Sequence, residues 1–263
     1  MIVFRSVRAQ FCVTPLLGCL IFAASAVAQN CKPPDQMKAT LKDKPTVAML
    51  NDLGVWFADH EQYACAADAF GSSLQTDAAQ PDLPRVVFEF GASLYLSGDT
   101  KEAIPSLQEA EKLGYRDGKI AVILATALDS THATGEAEAE WRKALEFDPE
   151  NTAALDALSN DLLAEVDFKG VIELLDRPRL VALRSPQQAI NLATAYAKTG
   201  KLEESRRVLE NGLNTNPDSY EVAQQLAGVL TQLDRKDEAA IVLQLAQARR
   251  QETLRKPGNE QRP

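Results

Sequence analysis

The sequence contains few of the side chains that usually carry chemistry. Among its 263 residues there are two histidines, His60 and His132, and aromatic residues make up 6%. His60 and Glu61 match the start of the H-E-x-x-H zinc motif, but Ala64 stands where the second histidine is required. No nucleophile elbow, phosphate-binding loop or dinucleotide fingerprint is present. We therefore expect a protein that is not an enzyme and that binds neither a metal nor a cofactor.

Positive charge is also scarce. The chain has 28 Lys and Arg against 37 Asp and Glu, which gives a formal net charge of -9 at pH 7. This balance repels a phosphate backbone and argues against nucleic acid as the main partner. Hydrophobic residues make up 45% of the chain, with Ala and Leu frequent among them. Both lose little side-chain entropy in a helix, so the composition favours an all-α fold.

The first 28 residues have the pattern of a signal peptide. Arg5 and Arg8 form a short positive region, and an apolar stretch occupies residues 11–27. The run A-V-A at residues 26–28 matches a signal-peptidase cleavage site. The stretch is short for a membrane span. We expect cleavage after residue 28, export to the periplasm or the cell exterior, and no stable membrane span in the mature chain.

Two alternatives remain open for this segment. One is an uncleaved transmembrane anchor. The other is a lipoprotein signal, because Leu16-Leu17-Gly18-Cys19 is close to a bacterial lipoprotein box. Cleavage at that site would leave the apolar run at residues 21–23 on the mature chain, which fits the pattern less well.

The cysteines divide into two pairs. Signal cleavage would remove Cys12 and Cys19 and leave Cys31 and Cys65. An even pair in an exported chain predicts a disulfide, since the compartment beyond the membrane is oxidising; two free thiols are the alternative. The bridge would fasten the N-terminal segment 29–46 and contribute about 3–4 kcal/mol in the chain-entropy model.

Short sequence motifs, here called words, recur at separations that are multiples of 34 residues. ALEFDP at residues 144–149 returns as GLNTNP at residues 212–217, two periods later. GDTKEA at residues 98–103 returns as GKLEES at residues 200–205, three periods later. A fixed period of this length is typical of proteins in which stacked units bury one another's apolar faces.

These words resemble the tetratricopeptide-repeat (TPR) family. Its pattern places a large and then a small residue in a first helix, and a small residue in a second helix. Units starting near residues 47, 84, 118, 152, 186 and 220 match it, and the resemblance covers residues 47–253. The first-helix pairs are Leu53-Gly54, Phe90-Gly91, Leu124-Ala125, Leu158-Ser159, Leu192-Ala193 and Leu226-Ala227. The small second-helix residues are Ala66, Ala103, Ala137, Val171, Ser205 and Ala239, each followed four positions later by a large residue.

The resemblance implies an all-α fold, a right-handed superhelical solenoid of about six TPR helix–turn–helix repeats. A disordered polar tail at residues 254–263 would follow it. Glycines are expected in the turns between paired helices, because a chain reversal needs their freedom. These glycines are Gly98, Gly135, Gly170 and Gly200. Pro149 and Pro217 are expected where a second helix must stop.

One repeat departs from the pattern. Pro178 lies inside a second helix that should run over residues 168–184, and proline removes a backbone hydrogen bond there. We expect the helix to end or kink near Asp176 and residues 177–184 to form a loop or short turn. The segment is either a tolerated irregularity or, with its three arginines, a binding loop.

In TPR proteins, fixed positions of the first helices line a concave groove. The resemblance implies that this groove holds a partner segment. Amides there can bond a peptide backbone without reading its sequence, and an aromatic pair can anchor an apolar side chain. The implied groove residues are Asn51, Asp52, Arg85, Phe88, Glu89, Tyr95, Lys119, Asp129, Asp156, Asn160, Gln187, Asn191, Lys198, Gln224 and Gln225.

We therefore predict a non-catalytic scaffold that binds a protein or peptide partner. The alternative is a self-assembling structural protein, a homo-oligomer formed through the last helix. That helix carries Ile241, Val242, Leu243 and Leu245, and no capping helix follows it in the repeat pattern. Its apolar side is then open to a second copy, unless the helix extends and shields that side with its own charged face.

Overall fold

The protein is described by a computed structural model. The described residues are 10–11, 20–21, 31–38, 45–176 and 183–255. Most of the predicted signal peptide, residues 177–182 around Pro178 and the end of the predicted tail at 256–263 lie outside them. The predictions made for those stretches therefore stay predictions.

Three short elements precede the helical array. Strands β1 (Gln10–Phe11) and β2 (Leu20–Ile21) pair antiparallel, with Gln10 opposite Ile21. Helix α1 (Asp35–Lys38) is a single turn.

The rest of the described chain is helical, which confirms the all-α fold class. Six helix pairs follow one another in the described residues, and their first helices begin at residues 47, 83, 118, 152, 186 and 220. The helices are α2 (Val47–Asp59), α3 (Tyr63–Thr76), α4 (Leu83–Leu96), α5 (Thr100–Lys112), α6 (Gly118–Ser130), α7 (Thr134–Phe147), α8 (Thr152–Ala164), α9 (Phe168–Leu175), α10 (Pro186–Lys198), α11 (Leu202–Thr215), α12 (Tyr220–Gln232) and α13 (Lys236–Arg255).

The chain divides into two compact units, residues 1–143 and residues 144–263. In unit 1, successive helices from α2 to α6 pack on one another, and the first helices α4 and α6 also touch. In unit 2, successive helices from α8 to α13 pack in the same way, and α10 touches both α8 and α12. The first helices α4 and α6 of unit 1, and the first helices α8, α10 and α12 of unit 2, therefore lie side by side and share a surface.

In the first two repeats, a glycine on the first helix sets how closely its partner helix approaches. A Cβ atom added to Gly54 would lie 2.7 Å from the Phe70 ring, and one added to Gly91 would lie 2.9 Å from Cγ of Leu107. Phe70 and Leu107 are the large second-helix residues of the same repeats, and both are fully buried. Real Cβ atoms do not approach that closely, so only a small residue fits opposite the large one.

Every first helix ends in the same backbone turn. Its C′ residue has a positive φ, and the N–H of the following residue bonds to a carbonyl five residues back, as in a Schellman motif. Examples are Asp99 N–H to the Leu94 carbonyl and Asp167 N–H to the Leu162 carbonyl, both at 2.8 Å. The positive-φ residues of these six turns are Glu61, Gly98, His132, Val166, Gly200 and Asp234.

Two of the predicted turn glycines are elsewhere. Gly135 and Gly170 lie inside α7 and α9, and His132 and Val166 occupy the positive-φ positions instead. Gly170 instead contacts the side chain that caps the N-terminus of α9. Its N–H donates to the capping carboxylate Oδ1 of Asp167 at 2.9 Å, and a Cβ there would lie 2.4 Å from the other carboxylate oxygen.

Two second helices, α9 and α13, differ in length from the others. Helix α9 has eight residues where the other second helices have 13 or more, and it ends at Leu175, three residues before Pro178. Helix α13 has 20 residues and continues to Arg255, two residues into the predicted tail. Arg249 of α13 donates to the Pro217 carbonyl at 2.9 Å, and the Arg250 guanidinium lies 5.0 Å above the Tyr220 ring.

A disulfide joins the segment before α1 to α3. Cys31 and Cys65 are bonded, with their Cα atoms 5.6 Å apart and a sequence separation of 34. Cys65 is buried in the first helix pair. The bond therefore fastens the N-terminal segment to the core of unit 1.

Val166 is the least suitable residue for its turn, because a β-branched side chain strains a backbone with a φ of 63°. The side chain is 64% exposed, so little packing is lost on removing it. We expect Val166→Gly to raise the free energy of unfolding by about 0.5–1 kcal/mol, the relief of strain being partly offset by the entropy of glycine. Urea unfolding followed by circular dichroism measures this.

The matched control is Gly200→Val, the same position one repeat later. Gly200 has a φ of 82°, and an added Cβ would touch nothing within 4 Å, so any loss of stability reflects the backbone alone. A loss in Gly200→Val and a gain in Val166→Gly are expected. A loss of stability in Val166→Gly contradicts the strain at this turn.

Candidate protein-binding faces of the two units

The predicted groove residues lie on the shared first-helix surface of each unit. We call these the unit 1 face, formed by α2, α4 and α6, and the unit 2 face, formed by α8, α10 and α12. Exposed on them are Asp52, Arg85, Lys119, Asn160, Gln187, Lys198, Gln224 and Gln225. Half-buried are Asn51, Glu89, Tyr95, Asp129 and Asp156, and buried are Phe88 and Asn191.

The unit 1 face is charged, and Glu89 lies at its centre. Burial raises the pKa of the Glu89 carboxyl above its ordinary value, while the nearby cations Arg85 and Lys119 act in the opposite direction. Asp59 and Asp117 add to the upward shift. The side chains of α2, α4 and α6 are therefore within electrostatic reach of one another on this face.

Phe88 does not serve as an exposed anchor, contrary to the prediction. It is only 5% exposed, and its ring stacks on that of Tyr115 with the centroids 4.5 Å apart. Tyr115, half-buried, is the aromatic residue that accompanies Glu89 here. Its pKa is raised by burial and by the negative charges of Asp117 and Glu89. Tyr115 lies in the α5–α6 connection, so a rule based on first-helix positions does not find it.

Asn51 and Asp129 also have internal partners. The Asn51 side-chain N–H donates to Oε1 of Gln80 at 2.8 Å, and Gln80 is itself buried between α3 and α4. The Oδ1 atom of Asn51 is buried and has no hydrogen-bond partner in the described residues. The indole N–H of Trp141 donates to Oδ2 of Asp129 at 2.7 Å. Both side chains support the fold of unit 1.

The unit 2 face is lined by amides that connect neighbouring helices. Nδ2 of Asn191 on α10 donates to Oγ of Ser159 and to Oδ1 of Asn160 on α8, each at 2.8 Å. Gln187 Nε2 donates to Oδ1 of Asn191 at 2.7 Å. Asn191 is 1% exposed. The amide of Asn191 is therefore enclosed by these three side chains and lies beneath the exposed surface of the unit 2 face.

The remaining polar groups of this face are simpler. Oδ1 of Asp156 accepts a hydrogen bond from the Ser185 hydroxyl at 2.6 Å. Gln224 and Gln225 on α12 are exposed. Amides carry both a donor and an acceptor and no net charge, so the surface is suited to binding neutral polar groups such as peptide bonds.

Nothing in the described residues suggests a metal centre. His60 lies at the end of α2, where its ring stacks on Trp56 with centroids 4.0 Å apart and Nδ1 is 2.7 Å from the Trp56 carbonyl. His132 occupies one of the positive-φ turns. Across residues 31–38, 45–176 and 183–255, no three His, Cys, Asp or Glu side chains are grouped as metal ligands.

Successive first and second helices that pack on one another make each unit a helical-repeat array. Comparison with solved structures identifies the fold as that of tetratricopeptide-repeat proteins. A TPR protein from Parabacteroides merdae is similar at a TM-score of 0.59 and 16% identity, over 75% of this chain and 77% of that one.

Two further structures are similar in fold. The C-terminal part of a TPR repeat-containing protein from Cytophaga hutchinsonii has a TM-score of 0.57 at 13% identity, over 73% of this chain and 74% of its own. PilF from Pseudomonas aeruginosa has a TM-score of 0.50 at 20% identity, over 63% and 75%. No family model and no curated protein matches the chain. At these identities the likeness establishes the fold.

Membrane-spanning character was searched for in the same described residues. None of their helices combines the length and the apolar content that a bilayer crossing requires.

The raised pKa of Glu89 predicts a pH-dependent stability. The folded protein takes up this proton at a higher pH than the unfolded chain, whose carboxyl titrates near 4.5, so the ionised form costs stability at neutral pH. Glu89→Gln should therefore be more stable than the wild type at about pH 7 and equally stable at about pH 3.5. Urea unfolding midpoints across this range measure the difference.

Glu203→Gln is the control of opposite sign. A hydrogen bond from Arg206 lowers the pKa of Glu203, so its contribution is present above the ordinary pKa and is lost as the pH falls. This variant should be less stable than the wild type at neutral pH. Parallel pH profiles for Glu89→Gln and the wild type contradict the burial of a charge on the unit 1 face.

Proposed function

We propose that the protein is a non-catalytic scaffold that binds a segment of a partner protein on its first-helix faces. The observation that carries the proposal is the unit 2 face, where exposed amides of Asn160, Gln187, Gln224 and Gln225 come from three adjacent first helices. Such a surface offers repeated donors and acceptors to a polypeptide without requiring a particular charge. The TPR fold supports the same conclusion by analogy alone.

We further propose that the protein acts in the periplasm or at the cell exterior. The support is the signal-peptide pattern at residues 1–28 and the bonded pair Cys31 and Cys65. Disulfides persist in oxidising compartments and are rare in the reducing cytosol.

Self-assembly is the second candidate function, and α13 favours it. Ile241 and Leu245 lie one helical turn apart and are 55% and 58% exposed. One repeat earlier, the corresponding positions hold Arg207 and Asn211, both exposed and polar. An apolar pair at positions that elsewhere face water is a candidate contact for a second copy.

Site-specific photo-crosslinking distinguishes these functions. A photoreactive phenylalanine replaces Gln224 on the unit 2 face, Lys119 on the unit 1 face, or Glu146 on second helix α7, in cells of the source organism. The scaffold function predicts the same partner from one or both first-helix positions and none from Glu146. Mass spectrometry identifies the adduct.

The same experiment includes Leu245. An adduct of the chain with itself from Leu245, without a partner from Gln224 or Lys119, favours self-assembly. A partner captured only from Glu146 excludes binding on the first-helix faces.

Export has a separate test. Expression of the full chain in a Gram-negative host should give a periplasmic protein whose N-terminus is Gln29, because the A-x-A site ends at residue 28. Thiol labelling without reductant should leave Cys31 and Cys65 unmodified. An uncleaved chain, or one that is lipid-modified at Cys19, contradicts the proposed signal peptide.

A further inference from the structure

Four side chains of unit 2 form one continuous hydrogen-bonded chain across two helices. Ser159 and Asn160 belong to α8, and Gln187 and Asn191 belong to α10. Ser159 Oγ lies 3.1 Å from the backbone carbonyl of Asp156. From that carbonyl, hydrogen bonds run through Ser159 to Asn191, and from Asn191 to both Asn160 and Gln187.

The direction of every bond in this chain follows from its first member. A backbone carbonyl can only accept a hydrogen bond, so the Ser159 hydroxyl donates its proton to the backbone carbonyl of Asp156. Its oxygen must then accept from the Nδ2 group of Asn191, which fixes the orientation of the buried Asn191 amide. The second Nδ2 proton of Asn191 is donated to Oδ1 of Asn160. The Oδ1 atom of Asn191 accepts a hydrogen bond from Nε2 of Gln187.

The outer ends of the chain are therefore different from each other. The side-chain oxygen of Asn160 accepts a hydrogen bond from the buried Asn191, so Asn160 presents the N–H protons of Nδ2 to solvent. Gln187 uses an N–H inwardly, so it presents the oxygen Oε1. Both residues are exposed, and these outer atoms have no hydrogen-bond partner in the part of the chain that the structure describes.

We propose that Asn160 and Gln187 bind the main chain of an extended peptide segment. A backbone carbonyl of the segment accepts from Nδ2 of Asn160, and a backbone N–H donates to Oε1 of Gln187. Both side chains bond to the single amide of Asn191, so they lie within reach of one or two residues of an extended chain, which rises about 3.3 Å per residue. Asn191 and Ser159 are positioning residues that hold the donor and the acceptor in place.

The chemistry of the pair favours a peptide group over an ion. An anion would face the carbonyl oxygen of Gln187, and a cation would face the N–H protons of Asn160. Two charged residues that precede the pair in sequence have partners of their own: the Asp156 carboxylate accepts from Ser185, and Arg184 is paired with Glu150. A neutral group that both accepts and donates matches the site, and contacts with the main chain make binding tolerant of sequence.

The inference rests on the proposed scaffold function, and backbone methylation tests it. An array of N-acetylated twelve-residue peptides of random sequence is screened against the purified protein, and a bound peptide is then N-methylated at one backbone nitrogen at a time. Methylation of the nitrogen that donates to Gln187 should weaken binding about fivefold to tenfold, the loss of one hydrogen bond. In Gln187→Met the same methylation should have no further effect.

Gln224→Met is the matched control, an exposed amide on the same face outside the hydrogen-bonded chain. It should retain the methylation effect. If peptides bind but no single methylation is coupled to Gln187, the inference is overturned and the scaffold function stands. If no peptide binds at millimolar concentration, both the inference and peptide binding on the unit 2 face are overturned.

Discussion

In the first two repeats, a glycine that faces a large side chain fixes the separation of the two paired helices. Gly54 meets the ring of Phe70, and Gly91 meets Leu107, at distances that leave no room for a side chain. The paired helices therefore pack closely, and the next first helix packs against them in turn. The surfaces shared by neighbouring first helices, and with them the candidate binding faces, exist because this spacing is repeated.

The same contact explains why the helices could be predicted from sequence. The positions that face each other across a helix pair are buried, so only residues of a suitable size fit there. Small and large residues therefore recur with the period of the repeat, and this pattern predicts the helices. The turns between paired helices produce no comparable sequence pattern. A Schellman turn is held by backbone hydrogen bonds, and its positive-φ position accepts His132 and Val166 as well as Gly98. Glycine was thus a poor guide to the turns, and Gly135 and Gly170 are helical.

The candidate site was less predictable, because position on a helix does not determine what a side chain contacts. Phe88 and Asn191 occupy groove positions but are enclosed by Tyr115 and by Ser159, Asn160 and Gln187. Those contacts depend on the neighbouring helix or connection, which the spacing of one helix does not specify. The two faces differ for the same reason. Unit 1 gathers charges around Glu89, whereas unit 2 orders neutral amides around one buried asparagine.

Helix α9 is the shortest of the second helices, yet α8 and α10 still begin 34 residues apart. The first helices α8 and α10 therefore keep the spacing of the repeat, and the hydrogen bonds between Asn160, Asn191 and Gln187 form between them. A second helix can therefore be shortened by several residues without displacing the amides that the neighbouring first helices present on the unit 2 face.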